Sequence, residues 1–145
     1  MWGQFCQCVG KRIDIGILEE AFLSTPKNSP MLNLARKLHG KHKLGIITDN
    51  NKERFDLLNK EWKLSDFFDC IIVSAEIGAK KDSALIFEAA LDCMKAVPKE
   101  CIFIDNNRRN LKIPEKMGFA TIFHNHEKND MALLVKELKR IGVKI

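Results

Sequence analysis

Three clusters of polar residues, each at the end of a short apolar run or in the loop that follows one, carry the chemistry that this sequence can perform. The clusters contain a hydroxyl, two lysines and a carboxylate with neighbouring amides. Their members are Thr48, Asp49 and Asn50, then Lys80 and Lys81, and finally Asp105 and Asn106. A lysine neutralises charge that develops on a phosphoryl group, and a carboxylate binds a hard cation such as Mg²⁺. The three clusters therefore predict a phosphoryl-handling site.

Each of these residues also has an ordinary structural interpretation. Thr48 is of a type that often caps a helix, and Lys81 is of a type that usually lies solvated on the surface. Asp105, in an Asp-Asn-Asn run, is typical of a turn or a helix cap. The functional interpretation is favoured because the clusters follow three successive apolar runs in chain order.

The elements that must position these residues alternate between strand and helix from residue 30 to the end. Apolar runs of about five residues without alternation are typical of parallel strands buried on both faces. They cover residues 44–48, 70–74, 101–105 and, more weakly, 120–123. Helical periodicity fills the segments between them, and Asn50 with Glu53 has the spacing of a capping box. The pattern predicts an α/β three-layer sandwich with a mostly parallel, Rossmann-like sheet, whose strand ends form the binding edge.

Residues 1–29 have a different character. They contain no convincing strand, a helix predicted around residues 17–23, and a polar connector at 24–30 that holds two prolines. We therefore expect two parts, a short helical segment with its connector at 1–29 and an α/β core at 30–145.

Composition and charge narrow the class of protein. The 145 residues are 46% hydrophobic and 30% charged, which is typical of one globular domain, and no apolar run approaches the roughly 20 residues of a membrane span. The net charge of +5 comes from basic residues scattered among acidic ones, without the interleaved aromatic residues that favour RNA binding. We expect a small anionic partner, with no nucleic acid and no membrane.

The cysteines suggest a reducing compartment. Their number is odd, no Cys-x-x-Cys pair occurs, and no secretion signal is visible, so reduced thiols and a cytoplasmic location are expected. The five are Cys6, Cys8, Cys70, Cys93 and Cys101. A zinc site built from Cys6, Cys8 and a histidine is conceivable, but the spacing fits no standard ligand pattern.

Residues 30–125 carry motifs in the order and spacing of a known family. The segment at 44–50 is an apolar strand that ends in Thr48 and Asp49-Asn50. The segment at 74–81 supplies Lys81, with Lys80 as the second candidate. The segment at 101–106 ends in Asp105 and Asn106. Together they resemble the second, third and fourth motifs of the haloacid dehalogenase (HAD)-like hydrolase superfamily.

Most members of that superfamily are Mg²⁺-dependent phosphatases that form an aspartyl-phosphate intermediate. The resemblance implies that Thr48 and Lys81 bind the phosphoryl group, with Asp49, Asn50 and Lys80 at the substrate. It implies further that Asp105 and Asn106 hold Mg²⁺. The implied activity is that of a phosphatase-type hydrolase acting on a small phosphorylated molecule.

The first motif of the family, which supplies the nucleophile in an Asp-x-Asp-x-Thr sequence, has no counterpart here. No Asp-x-Asp occurs in the 145 residues. The most similar segment, Asp14-Ile15-Gly16, follows basic residues instead of a strand. We therefore expect this truncated chain to begin inside the helical cap and to be inactive or a fragment. The alternative is a non-catalytic HAD-like binding module, or one part of a complementing complex.

Further departures concern the sheet and the metal site. Family members place the missing strand between the strands that here end at Thr48 and Asp105. These two strands must pair directly, or a segment such as 4–9 must fill the gap, or a homo-oligomer must cover it. Asn106 replaces a second acid, which lowers the negative charge available to a metal. Pro114 is expected to disturb its helix unless it lies in the first turn.

Overall fold

The computed structural model describes residues 14–145, which form seven α-helices and four β-strands. In chain order the elements are α1 (Ile15–Leu23), α2 (Ser29–Leu38), β1 (Gly45–Thr48), α3 (Lys52–Trp62), β2 (Cys70–Val73), α4 (Ser74–Ile77), α5 (Ala84–Met94), β3 (Ile102–Asp105), α6 (Arg108–Met117), β4 (Ala120–Phe123) and α7 (Met131–Arg140). The predicted alternation of strand and helix is confirmed, as is the helix predicted around 17–23. Over this part of the chain, no helix combines the length and the apolar character that crossing a bilayer requires.

The strands form two parallel pairs. In β1 and β2, Gly45 lies opposite Cys70, and in β3 and β4, Ile102 lies opposite Ala120. Among the described strands, none is hydrogen-bonded to both pairs, so the first of the alternatives, direct pairing of β1 with β3, is wrong. The other segment considered for this position, residues 4–9, lies outside the described residues.

Alternating side chains of each strand reach two helical layers. On one face, Val73 of β2 packs with α2 and α3, and Ile104 of β3 packs with α2 and α7. On the other face, Ile72 of β2 and Phe103 of β3 pack against α5, where Phe87 is fully buried. Helices α2 and α5 thus contact both strand pairs, which confirms the predicted three-layer α/β sandwich.

The start of α3 differs by one residue from the expected capping box. The N-cap is Asn51, whose side chain accepts a hydrogen bond from the Arg54 N–H. The Asn50 side chain does not cap the helix because its Oδ1 accepts from the Asn51 N–H and from Arg54 Nη1. The amide of Asn50 is therefore part of the loop that follows β1.

Helix α6 continues through Pro114 without interruption, although Pro114 lies well past the first turn. The expected disturbance is therefore not observed. Pro114 lacks an N–H for the carbonyl of Asn110, but its ring is among the most deeply buried side chains. Gly118, at a φ of 96°, ends the helix, and the Phe119 N–H donates to the Pro114 carbonyl. Burial of the ring compensates in part for the lost hydrogen bond.

The expectation of reduced thiols is wrong for two cysteines. Cys70 at the start of β2 and Cys93 near the end of α5 are joined in a disulfide. Helix α5 packs on β2 and brings the two Cα atoms to 6.1 Å, within the range that a disulfide spans. In the described part of the chain Cys101 is the free cysteine, and its side chain is half-buried.

Candidate functional site

The predicted site lies at the carboxyl ends of the strands, where the structure joins two of the three clusters by an ion pair. Lys81 Nζ lies 2.8 Å from Asp105 Oδ2. The exposed fraction of the side chain is 16% for Lys81 and only 4% for Asp105, so this is a largely desolvated pair. The backbone N–H of Lys81 also donates to Asp49 Oδ1 at 3.1 Å. Lys81 therefore connects the ends of β1 and β3.

Asp105 is fixed on both oxygens by neighbouring donors. Oδ1 accepts from the Asn107 N–H at 2.7 Å and from Asn110 Nδ2 at 3.1 Å, while Oδ2 accepts from Lys81. Asn107 is also the N-cap of α6, so the helix start and the carboxylate support each other. A buried carboxylate that is paired and hydrogen-bonded in this way keeps one orientation. Residues of the chain itself thus orient this carboxylate.

The loop after β1 is tied to the end of β2 by Ser74. Ser74 Oγ accepts from the Asn50 N–H at 3.0 Å and donates to the Asn50 carbonyl at 3.1 Å. Thr48, the last residue of β1, is half-buried opposite Val73. Its hydroxyl makes no hydrogen bond to any residue that the structure describes. The hydroxyl and the backbone N–H groups at the start of α3 can therefore receive an anion.

Two of the predicted residues are close in sequence to the site but are not built into its hydrogen-bond network. Lys80 and Asn106 are both exposed, and within residues 14–145 neither side chain forms a hydrogen bond or an ion pair. Lys80 is adjacent to Lys81 and Asn106 to Asp105. The structure leaves their predicted roles at the substrate and the metal as predictions.

Three residues that help to hold the site in place were not singled out from the sequence. Ser74 and Asn110 hold the loop and the carboxylate, and Arg54 binds the side chain of Asn50. Ser74 follows an apolar run directly, so the rule that located Thr48 and Asp105 would also have found it. Arg54 lies inside a predicted helix, and no local signal distinguishes it from a surface residue.

A second ion-pair cluster lies beside the site, between α3 and α4. Lys52 Nζ contacts Glu76 Oε1 at 2.8 Å and Asp56 Oδ2 at 3.3 Å. The hydrogen bond to Glu76, and next that to Asp56, raises the pKa of Lys52 above its ordinary value. Both partners are exposed, so the cluster contributes little to stability. Glu76 therefore serves as an ion-pair partner of Lys52.

The donors available for a metal are few. Within the part of the chain that the structure describes, no three acidic, cysteine or histidine side chains are clustered closely enough to surround a metal ion. Asp105 supplies one carboxylate, and three of its roughly four lone-pair sites already accept hydrogen bonds. Mg²⁺ commonly takes one or two carboxylates and completes its shell with water and phosphate oxygens. The donor set therefore fits a weak Mg²⁺ site. The zinc hypothesis depends on Cys6 and Cys8, which lie outside the described residues.

Parallel strands between two helical layers, with a lysine, a hydroxyl and an aspartate at their carboxyl ends, define an α/β protein with an anion site at the sheet edge. Residues 27–124 match the family model described as haloacid dehalogenase-like hydrolase. Because this match covers most of the chain, the protein belongs to the haloacid dehalogenase-like hydrolases.

Curated relatives of different lengths align with this chain. It is 32% identical over 130 residues to bifunctional epoxide hydrolase 2 of Rattus norvegicus, an alignment that covers 86% of this chain and 23% of that protein. It is 31% identical over 85 residues to the pyrophosphatase PpaX of Anoxybacillus flavithermus, covering 58% of this chain and 40% of that protein. The chain therefore spans about a quarter of the length of the epoxide hydrolase relative.

Solved structures share the fold. A HAD-like family hydrolase from Porphyromonas gingivalis superposes with a TM-score of 0.80 at 19% identity, covering 95% of this chain and 71% of that one. A HAD family enzyme from Bacteroides thetaiotaomicron, solved with magnesium and inorganic phosphate, has a TM-score of 0.73 at 23% identity, covering 85% and 69%. These similarities confirm the α/β fold.

Proposed function

We propose that this chain binds the phosphoryl group of a small phosphorylated molecule together with Mg²⁺, and that by itself it hydrolyses little or none of it. The observation that carries the proposal is the desolvated pair of Lys81 and Asp105, held at the ends of two strands. A cation and a carboxylate fixed at 2.8 Å, with the Lys81 backbone bound to Asp49 next to the open Thr48 hydroxyl in the chain, suit a ligand that brings both negative charge and a metal.

Each residue has a distinct role in this proposal. The Thr48 hydroxyl, the Asp49 backbone N–H and the Asn50 side-chain amide donate to phosphoryl oxygens, and the Asp49 carboxylate orients the Lys81 backbone. Lys81 neutralises phosphoryl charge, and the exposed Lys80 attracts the anion. Asp105 and Asn106 hold the metal, since both offer hard oxygen donors. Bound Mg²⁺ supplies Lewis-acid neutralisation of the phosphate oxygens.

The relatives support a phosphorylated substrate without naming it. Two aligned proteins are a pyrophosphatase and the pyrimidine 5'-nucleotidase YjjG of Escherichia coli, and one solved neighbour holds magnesium and inorganic phosphate. The proposed low turnover rests on the family resemblance, because the 145 residues contain no Asp-x-Asp motif of the kind that supplies the nucleophile in that superfamily. Binding and charge stabilisation alone do not replace the covalent step.

Titration calorimetry with inorganic phosphate, with and without Mg²⁺, tests the binding part. Lys81→Gln and Thr48→Val are expected to weaken binding about tenfold each, the effect of losing one hydrogen bond to a charged group. Lys60→Gln, which removes an exposed lysine of α3, is the matched control and leaves binding unchanged. Equal affinities in all four proteins would refute the site.

Turnover of p-nitrophenyl phosphate tests the second part. We expect the purified chain to show no release of p-nitrophenol above the buffer rate at any Mg²⁺ concentration. Substantial Mg²⁺-dependent release that disappears in Asp105→Asn would refute the proposed inactivity and would leave the proposed binding site standing.

A second candidate function is a non-catalytic module or one part of a complementing assembly. The observation in its favour is that, among the described strands, β1 and β3 each have a hydrogen-bonded neighbour on one side only. Strand backbone without a partner recruits another strand. A homo-oligomer is one arrangement that would cover this strand backbone. Sedimentation velocity over a hundredfold concentration range would detect it. A monomer at every concentration, with no binding of a hydrophobic dye, would count against this function.

Three further predictions accompany the proposal. The division into a helical segment at 1–29 and a core at 30–145 stays a prediction, as does the absence of nucleic-acid and membrane partners. The predicted cytoplasmic location also stays a prediction. The Cys70–Cys93 disulfide weighs against it, because disulfides persist mainly in oxidising compartments.

A further inference from the structure

We propose that Arg54 is a positioning residue that orients the side-chain amide of Asn50 for the anion. The inference rests on the proposed phosphoryl site and assigns a role to a residue outside it. Arg54 Nη1 donates to Asn50 Oδ1 at 3.3 Å, and Arg54 Nη2 donates to Thr25 Oγ1 at 3.0 Å. Arg54 acts through Asn50 and needs no contact with the ligand.

The chemistry of a guanidinium group fixes which way the amide turns. All five N–H groups of Arg54 are donors, so only the oxygen of the Asn50 amide can face it. The Asn51 N–H donates to the same oxygen at 3.1 Å, which reinforces this orientation. The Asn50 Nδ2 group, which forms no hydrogen bond within residues 14–145, therefore turns to the other side. Two N–H donors are left available in the loop that follows Thr48.

Among the described residues, no carboxylate neutralises the charge of Arg54, in contrast to the charge of Lys52. Lys52, two residues earlier, contacts the carboxylates of Glu76 and Asp56. Within the described residues, Arg54 contacts neutral oxygens only, although its side chain is half-buried. It also lies in the first turn of α3, where the helix dipole disfavours a cation. A bound anion in this loop would compensate for that cost.

Thr25 gives Arg54 a second anchor outside the loop. The Thr25 hydroxyl donates to the Phe22 carbonyl at 2.7 Å, so its lone pairs are free for the guanidinium. Phe22 belongs to α1, which packs against α3. Arg54 thus bridges the segment that follows α1 and the loop that follows β1, and this bridge holds the guanidinium against Asn50.

The first test is spectroscopic and needs no ligand. The side-chain amide resonances of Asn50, identified by their loss in Asn50→Ser, should shift in Arg54→Gln because the amide oxygen loses its charged donor. Arg140→Gln, which removes an arginine in the last turn of α7, is the charge-matched control and should leave them unchanged. Unchanged Asn50 resonances in folded Arg54→Gln would overturn the inference. If Arg54→Gln does not fold, Arg54→Lys carries the same measurement.

The second test is a double-mutant cycle on inorganic phosphate binding. Arg54→Gln and Asn50→Ser should each weaken phosphate binding about tenfold, and the double variant should be no weaker than either. Arg54→Lys keeps the charge but cannot bridge Asn50 and Thr25 together, so it should bind several-fold less tightly than the wild type. Full binding by Arg54→Lys, or losses that multiply in the double variant, would overturn the positioning role.

The two tests separate this inference from the proposed function. If the wild-type chain binds no phosphate, the proposed function fails, and the Asn50 resonances still report whether Arg54 orients the amide. If phosphate binds and Arg54→Gln changes neither the resonances nor the affinity, the inference fails and the proposed site stands.

Discussion

Lys81 and Asp105 depend on each other unequally, because only one of them can reach water. The Asp105 side chain is 4% exposed, while that of Lys81 is 16% exposed and ends a flexible stem. Loss of Lys81 would leave a buried carboxylate with only two neutral donors. The reverse loss would leave an ammonium group that can turn toward solvent. Removing Lys81 is therefore expected to lower the free energy of unfolding more than removing Asp105 does.

We predict that Lys81→Met lowers the free energy of unfolding by about 2 kcal/mol, below the usual cost of breaking a buried pair because two donors to Asp105 remain. Urea denaturation followed by circular dichroism measures the change. Glu76→Gln breaks an exposed ion pair instead and should leave the midpoint within error. A Lys81→Met variant as stable as Glu76→Gln would show that the pair is not desolvated in solution.

Burial alters the acid–base behaviour of the Cys101 thiol. Burial, and next the nearby charge of Glu100, raises the pKa of the Cys101 thiol above its ordinary value. The folded chain therefore holds this proton more tightly than the unfolded chain does. The resulting stability is present below the ordinary thiol pKa and is lost as the pH rises through the raised value.

We predict that iodoacetamide alkylates Cys101 with a pH midpoint above that of the same thiol in urea. The measurement uses a Cys6→Ser, Cys8→Ser background, which leaves Cys101 as the free thiol in addition to the disulfide pair. The rate at neutral pH should be lower in the folded chain, since less thiolate is present. A midpoint equal to that of the unfolded chain would contradict the effect of burial.

At the scale of elements, α6 combines a poor helix sequence with a well-packed position. Pro114 removes one helical hydrogen bond, at a cost of roughly 3 kcal/mol relative to alanine, but its ring is buried. Replacing the ring by a methyl group removes about two buried methylene groups, worth roughly 1.6 kcal/mol. The lost hydrogen bond is the larger of the two effects.

We predict that Pro114→Ala stabilises the protein by about 1 kcal/mol, because the new N–H can donate to the Asn110 carbonyl. The urea midpoint should rise, and Glu115→Ala, at the exposed neighbouring position, should change it little. A fall in the midpoint would mean that packing of the ring outweighs the hydrogen bond.

Strand positions were predictable from the sequence to within about one residue, whereas the start of α3 was not. The apolar run at 44–48 became β1 at Gly45–Thr48, since continuous apolarity is a local signal. The N-cap moved from Asn50 to Asn51 because Asn50 is held by Ser74 and Arg54. Ser74 directly follows another strand, β2, so no local pattern around Asn50 contains this information.

At the scale of the whole molecule, helices α2 and α5 hold the two strand pairs in one layer. The Phe87 ring of α5 meets the Phe103 ring of β3 edge-on, with 5.1 Å between the two ring centroids. Phe87 also packs in the same cluster as Ile72 of β2. The Cys70–Cys93 disulfide adds a covalent link between α5 and β2. The described strand pairs therefore depend on helix packing for their alignment.

We predict that Cys93→Ser lowers the free energy of unfolding by about 3 kcal/mol, the loop-closure value for cysteines 23 residues apart. Dithiothreitol should bring the wild type to the same urea midpoint and should not affect Cys93→Ser. Cys101→Ser is the control for loss of a thiol and should remain sensitive to the reductant. A wild-type midpoint unaffected by dithiothreitol would contradict the prediction.

The sequence by itself determined the alternation of strands and helices, placed Thr48 and Asp105 at strand ends, and placed Lys81 in the segment that follows β2. Hydrophobic periodicity and the polar residues that end each run are local properties, and parallel strands share an edge. Only the tertiary structure decided that Lys81 pairs with Asp105, that Cys70 pairs with Cys93 and that Arg54 holds Asn50 and Thr25. Most of these contacts join residues more than twenty positions apart, and packing of helices on strands, not neighbouring sequence, brings such residues together.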